Sequence, residues 1–82
     1  MQVDPAQKAV AAALSGNWED AIRLNEDLIA LNPNDIDALN RLAKAYAECG
    51  QVELAKKTSN KVLELDPFNP IAQKCVNKWS FG

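Results

Sequence analysis

The feature that most constrains the fold of this chain is its self-similarity at a spacing of 34 residues. Identical residues meet at this spacing in the pairs Ala9/Ala43, Ala11/Ala45, Ala13/Ala47, Gly16/Gly50, Glu19/Glu53, Ala21/Ala55, Leu31/Leu65 and Pro33/Pro67. The pairs Ala38/Ala72 and Lys44/Lys78 extend the match into a third, truncated copy. Such a period, with small residues, a central Gly and a terminal Pro, is typical of helix-turn-helix arrays, which usually bind other polypeptides.

The length of the chain favours an array over a single compact core. A domain of 82 residues buries little surface, so one isolated core would be marginally stable. In a stacked array, each helical pair buries its apolar face against the next pair. Apolar residues make up 48% of the chain, which excludes compositional disorder.

Capping and breaking residues predict five helices and no strands. The predicted helices run from Asp4-Pro5 to Ser15, from Asn17 to Leu31, from Asn34 or Asp35 to about Glu48, from about Gln51 to Leu65, and from Asn69-Pro70 to Trp79. No segment alternates with period two, so the fold class is all-α. Connections of a few residues make neighbouring helices antiparallel.

The helical period also predicts which side chains are buried. On the second helix these are Trp18, Ala21, Ile22, Leu24, Leu28, Ile29 and Leu31, and on the fifth they are Ile71, Ala72, Cys75, Val76 and Trp79. The Asn17 side chain is expected to cap the second helix. Gly50 is expected to end the third helix in a tight turn that needs either a small residue or a positive φ.

Charge and hydropathy argue against nucleic-acid and membrane partners. The net charge is −2 and no cluster of five or more basic residues occurs, so no field for nucleic acid is predicted. The longest uncharged run, Ala9 to Trp18, is ten residues, whereas a membrane-spanning helix needs about 20.

The two cysteines are predicted to be buried free thiols. Cys49 closes the third helix and Cys75 lies near the start of the fifth, an offset of about eight residues between parallel helices, or about 12 Å. A disulfide needs Cα atoms within about 7 Å. The sequence therefore favours a reducing compartment and a cytoplasmic location.

No residue pattern supports catalysis or a cofactor. The chain contains no His, so it has no imidazole base and no ordinary zinc site. Neither cysteine has a CxxC partner. The oxygen-rich segment 32–37 lacks the central Gly and distal Glu of a calcium loop. We expect no enzyme activity, no metal and no cofactor.

The chain resembles the tetratricopeptide repeat family. Its second copy carries Leu39-x₂-Leu42-Ala43-x₂-Tyr46, followed at the family's spacing by Ala55, Ser59 and Pro67. In the first copy Ala9, Ala21 and Pro33 fit, but Pro5, Lys8, Ala12 and Asn25 stand where apolar, aromatic or Gly residues are usual. The resemblance implies one domain over 1–82: repeat one at about 2–35, repeat two at about 36–69 and a capping helix at about 70–80. The implied fold is a right-handed α-α superhelix of antiparallel hairpins.

In this family the first helix of each pair lines a concave groove that binds peptides or partner helices. The residues carried over to this groove are Val3, Ala6 and Val10 on the first helix, Asp37, Asn40, Arg41 and Lys44 on the third, and Lys74 and Lys78 on the fifth. Ile71 and Cys75 belong to the same stripe of the fifth helix. The resemblance to the branch that grips C-terminal carboxylates fails, because only Arg41 could hold a carboxylate at the corresponding positions.

Two functions remain open from the sequence. The first is a non-catalytic module that presents a concave groove to a protein or peptide, preferably one that is acidic at one end and apolar at the other. The second is a self-associating structural scaffold, possible as a homodimer, because Val3, Ala6 and Val10 could form an uncovered apolar edge.

Overall fold

The computed structural model describes residues 4–79, which form five helices. They are α1 (Pro5–Leu14), α2 (Trp18–Leu31), α3 (Ile36–Glu48), α4 (Val52–Leu65) and α5 (Pro70–Trp79). Residues 4–79 contain no strand, so the prediction of an all-α fold is confirmed. The helix boundaries follow the caps and breakers read from the sequence.

The odd-numbered helices begin at side chains that accept a hydrogen bond from the first turn. Asp4 accepts from a backbone N–H of α1 at 2.8 Å. Asp35 accepts from the backbone N–H of Ala38 at 3.1 Å, and Asn69 accepts from that of Ala72 at 3.0 Å. Asp35 and Asn69 are 34 residues apart, so the repeat extends to the capping interactions that satisfy otherwise unpaired N–H groups.

The even-numbered helices start differently, and one prediction is wrong here. Asn17 is the N-cap residue of α2, but its side chain makes no capping hydrogen bond. Its Nδ2 instead donates to Oδ2 of Asp20 at 2.7 Å. This bond turns the amide nitrogen of Asn17 toward the first turn of α2, whereas a capping bond needs the side-chain oxygen there.

Two identical turns, each containing a glycine, join the helices within a repeat. Gly16 has φ 73° and Gly50 has φ 81°, in the left-handed region that glycine adopts without strain. After Gly50, the N–H of Gln51 donates to the carbonyl of Tyr46 at 2.8 Å, and Asn17 makes the equivalent bond after Gly16. This pattern is the Schellman motif, and it confirms the tight turn predicted at Gly50, with a positive φ.

The helices form two layers. Each helix packs on its neighbours in the chain, and α3 also contacts both α1 and α5. Within the part of the chain that the structure describes, α2 and α4 do not contact each other. The inner layer of α1, α3 and α5 is therefore more closely packed than the outer layer of α2 and α4. The body is elongated and measures 49 × 24 × 18 Å.

The core lies between the layers and is centred on α3. Two clusters of buried side chains form it, one of Leu39, Val62 and Ala72 and the other of Leu42, Tyr46 and Ala55. Ile29 of α2 packs against both clusters and so connects the two repeats. The clusters join residues of α3, α4 and α5, which makes the fifth helix a structural part of the second repeat.

Three burial predictions are wrong. Leu31 is 83% exposed, because it is the last residue of α2 and lies about 120° around the helix from the buried Asn25. Cys49 is exposed, since it follows the last residue of α3 where the chain turns away at Gly50. Ile71 is 59% exposed, because Ala72 takes the buried position of that turn. The Trp79 side chain, also expected to be buried, lies outside the described residues.

Both cysteines are free, and Cys75 is half-buried on α5. Among residues 4–79, no helix combines the length and the apolar character needed to cross a bilayer.

Candidate functional site

A groove of about 180 Å³ opens on the inner layer between α3 and α5. Small side chains create this space: Ala43 and Ala47 lie one turn apart on α3, where larger residues would fill it. We call it the α3–α5 groove, and its lining residues are Asn40, Ala43, Lys44, Ala47, Glu48, Ser59, Ile71, Lys74, Cys75 and Lys78.

The rim of the groove is predominantly basic, with three lysines and one glutamate in the lining. Lys74 and Lys78 are exposed and lie one turn apart, so they share a face of α5. Lys44 lies on the opposite wall, on α3. The whole molecule carries a net charge of −2, so this positive rim opposes the overall sign of the charge.

Lys44 is oriented by two neighbours. Its Nζ is 3.5 Å from Oε1 of Glu48 and 5.9 Å from the centroid of the Trp18 ring on α2. Both ends of the ion pair are largely exposed, so it contributes little to stability. The cation–π contact adds a further modest attraction. Together these contacts orient the side chain of Lys44, which is one of the residues that line the groove.

The floor of the groove is polar and buried. Asn40 is 7% exposed, and its Nδ2 donates to Oδ1 of Asn69 at 3.3 Å. Ser59 is completely buried and reaches the groove from α4. Ile71 and Cys75 supply apolar surface on the α5 side. The groove therefore offers hydrogen-bonding groups at its base, apolar contact along one wall and positive charge around its mouth.

Four of the residues predicted for the groove come together in it, namely Asn40, Lys44, Lys74 and Lys78. Arg41 does not line it: the side chain is half-buried, and its Nε donates to Oδ1 of Asn25 on α2 at 3.0 Å.

The remaining predicted residues are placed elsewhere. Asp37 is exposed in the first turn of α3, outside the lining. Ala6 is half-buried and Val10 is 39% exposed, both on α1 and away from the α3–α5 groove. Val3 lies outside the described residues. Thus no residue of α1 lines the α3–α5 groove.

Sequence reasoning did not assign Ala43, Ala47, Glu48 and Ser59 to the groove. Ala43 occupies the small-residue position of the repeat signature, and this position does not by itself indicate a groove. A pair of alanines one turn apart could have indicated an open space beside the helix. Ser59 gave no comparable signal, because it belongs to α4 and reaches the groove only through the packing of three helices.

Among residues 4–79, no group of three or more His, Cys, Asp or Glu side chains could hold a metal ion.

Comparison with known proteins identifies the repeat. The model of the tetratricopeptide repeat family matches residues 12–76, which is most of the chain. Superkiller protein 3 of Saccharomyces cerevisiae is similar to the chain, at 28% identity over 82 residues and 82% of the chain. The matched region is 6% of the yeast protein, so the chain corresponds to a small part of that relative.

Proposed function

Because the chain belongs to the tetratricopeptide repeat family, whose repeats generally mediate protein–protein interactions, we propose that it is a non-catalytic module that binds a protein or peptide segment in the α3–α5 groove. The observation that carries this proposal is the lining of the groove: polar residues at the base, small residues on α3, apolar surface on the α5 side and three lysines at the mouth.

The size of the groove favours a peptide over a metabolite. Its volume of about 180 Å³ is below the roughly 300–1,000 Å³ of pockets that enclose small molecules. A space of this size accommodates a side chain of a polypeptide whose backbone passes over the inner layer. Because packed helices already hold the lining residues, the peptide alone loses conformational freedom on binding.

The charges favour an acidic segment with an apolar residue nearby. Lys44, Lys74 and Lys78 attract carboxylates, and the exposed Ile71 offers apolar contact beside them. Contacts with exposed lysines are individually weak, so they act mainly on orientation and on the association rate. An extended peptide that combines glutamates with leucine matches this arrangement.

Charge reversal tests the proposal. The probe is a fluorescein-labelled synthetic peptide of glutamate and leucine residues, and anisotropy measures its affinity. Lys44→Glu/Lys74→Glu should bind it at least about tenfold more weakly, and binding to the wild type should weaken as salt rises. The matched control is Lys57→Glu/Lys61→Glu, which changes the net charge equally on exposed residues of α4 outside the groove.

The two double variants separate the outcomes. Loss of affinity in the groove variant alone, with unchanged circular dichroism, supports the α3–α5 groove as the site. Equal loss in both variants would show that only net charge matters. Binding that is indifferent to salt and to both variants would place the site elsewhere on the molecule.

Self-association is the second candidate function, and exposed apolar side chains on α1 favour it. Val10 is 39% and Leu14 84% exposed, one turn apart on the same face. A second copy could cover this face, forming a symmetric dimer. Sedimentation velocity over a concentration series would detect it, and Val10→Glu/Leu14→Glu should return the protein to a monomer. A monomer at every concentration would exclude this function.

We also propose a cytoplasmic location, which the two free cysteines support, because free thiols persist in a reducing compartment. Fractionation of cells that express the tagged chain would test it.

A further inference from the structure

Two buried oxygen atoms in the lining of the α3–α5 groove have no hydrogen-bond partner among the described residues. They are Oδ1 of Asn40 and Oγ of Ser59. Asn40 is 7% exposed and Ser59 is fully buried, so neither side chain is open to bulk solvent. An unsatisfied buried polar atom is uncommon and destabilising in a folded protein. Two of them in one groove call for a functional explanation.

The orientation of the Asn40 amide is fixed by a chain of hydrogen bonds. Asn69 accepts from the backbone N–H of Ala72 at 3.0 Å, so Oδ1 of Asn69 faces the start of α5. Its Nδ2 donates to Oδ2 of Asp66 at 3.3 Å. Only a donor can then approach Oδ1 of Asn69, and that donor is Nδ2 of Asn40. The carbonyl oxygen of Asn40 is therefore left for another partner.

The Ser59 hydroxyl is unused in a different way. A serine or threonine inside a helix commonly donates to the carbonyl one turn earlier. Thr58 does so to Leu54 at 2.7 Å, and Ser15, the C-cap residue of α1, makes the same kind of bond to Ala11 at 2.9 Å. Ser59, next to Thr58 on α4, makes no such bond. The donor and acceptor capacity of this hydroxyl is therefore unused among the described residues.

We propose that Asn40 Oδ1 and Ser59 Oγ form a subsite for the side-chain carboxamide of a Gln or Asn residue in the bound peptide. This inference rests on the proposed function and adds the identity of the residue that enters the groove. A carboxamide carries both a donor and an acceptor. Its NH₂ group donates to the carbonyl oxygen of Asn40, and its carbonyl oxygen accepts from the hydroxyl of Ser59.

Other side chains fit the subsite less well. A carboxylate only accepts, so it leaves the Asn40 oxygen unpaired. A lysine or arginine would donate, but Lys44, Lys74 and Lys78 surround the mouth with like charge. An apolar side chain such as methionine fills the space and leaves both oxygens unsatisfied. The acidic residues that the rim attracts therefore flank, rather than occupy, the subsite.

The subsite makes an opposed pair of predictions for Ser59→Ala. Removal of a buried hydroxyl without a partner should leave the melting temperature of the free protein unchanged or raise it. The same change should weaken binding of a peptide that contains glutamine. If Ser59 served only stability, Ser59→Ala would lower the melting temperature and would leave peptide binding unchanged.

The experiment compares three synthetic peptides that share flanking glutamates and a leucine and differ only at one central residue: Gln, Met or Glu. Calorimetry should show that the wild type binds the Gln peptide about tenfold more tightly than the Met peptide, since a ligand lacking the hydrogen-bonding group leaves buried polar atoms unpaired. Ser59→Ala and, independently, Asn40→Leu should each reduce this preference. Thr58→Ala is the matched control, because that hydroxyl is already bonded and lies outside the lining.

The outcomes distinguish this inference from the proposed function. Equal binding of the Gln and Met peptides, both lost in Lys44→Glu/Lys74→Glu, would overturn the subsite and leave the groove in place. Failure of all three peptides to bind the wild type would overturn the groove and the subsite together. A Gln preference that persists in both Ser59→Ala and Asn40→Leu would also overturn the subsite.

Discussion

Arg41 Nε donates a hydrogen bond of 3.0 Å to Oδ1 of Asn25, and this bond connects the second repeat to the first. Asn25 is completely buried on α2, and its Nδ2 donates to the carbonyl of Ala21 at 2.8 Å. The oxygen and the nitrogen of the Asn25 side chain therefore each have a hydrogen-bond partner. The pair explains how the first repeat tolerates a polar residue at a position where the family usually has an apolar one, and why Arg41 points away from the groove.

Breaking this pair should destabilise the protein by leaving a buried oxygen unsatisfied. Arg41→Met should lower the free energy of unfolding by about 1–3 kcal/mol, measured by urea denaturation. Arg23→Met is the control, because Arg23 forms an exposed ion pair with Asp20. This change should lower the free energy of unfolding by less than about 1 kcal/mol.

A second variant isolates the interaction from the loss of packing. Asn25→Leu/Arg41→Met replaces both partners by apolar groups and should recover much of the stability lost in Arg41→Met. The loss of unfolding free energy in the double variant is compared with the sum of the losses in Asn25→Leu and Arg41→Met. If the two are equal, the hydrogen bond contributes nothing and packing explains the effect.

The stability should also fall at high pH, because of Tyr46. Burial raises the pKa of Tyr46 from 10.0 to about 12, with further contributions from its hydrogen bond to Glu26 and from the charge of that carboxylate. The hydroxyl lies 3.0 Å from Oε2 of Glu26. Because the folded pKa is above the unfolded one, the stabilisation is complete below about pH 10 and is lost as the pH rises through about 12.

The expected loss is on the order of 2 kcal/mol between these two pH values. Tyr46 is the sole tyrosine of the chain, so its ionisation can be followed directly by ultraviolet absorbance. Urea unfolding at several pH values gives the stability. Tyr46→Phe should be less stable at neutral pH by about 1 kcal/mol and should lack this dependence. A wild-type absorbance midpoint near pH 10 would contradict the prediction.

The sequence predicted the helices well because their ends depend on local chemistry. Asp35, Gly50 and Pro70 act through their own backbone and the adjacent turn, so their roles are readable without knowledge of the fold. The contacts of individual side chains were less predictable, since they depend on residues of neighbouring helices. The family resemblance implies that Arg41 lines the groove, but its side chain instead binds the buried Asn25 of another helix. Ser59 joins the groove only because α3 and α5 leave a space above α4.

The two turn glycines should respond alike to substitution. A Cβ at Gly16 or Gly50 would meet no atom within 4 Å, so the cost of a side chain is backbone strain alone. Alanine at either position should lower the stability by about 1–2 kcal/mol. Gly50→Val should cost more, because β-branched residues are strongly disfavoured at positive φ, and Gly50→Asn less. Thermal melts of the four variants measure this order, and a Gly50→Val protein that melts with the wild type would contradict it.

The fifth helix should be required for the stability of the second repeat. Ala72 is completely buried against Leu39 and Val62, and Asn69 hydrogen-bonds to both Asn40 and the first turn of α5. A chain that ends at Pro67 loses these contacts and exposes the apolar surface of α3 and α4. At about 25 cal/mol per Å² of apolar area, the loss should reach several kcal/mol, which is comparable with the whole stability of a small domain.

Ala72→Asp keeps the length of the chain but places a carboxylate in the core, and it should lower the melting temperature similarly. Asn77→Asp, an equal change of charge at an exposed position of α5, is the control. Calorimetry and sedimentation measure both effects. A shortened chain that remains monomeric with the melting temperature of the full chain would show that α5 is dispensable.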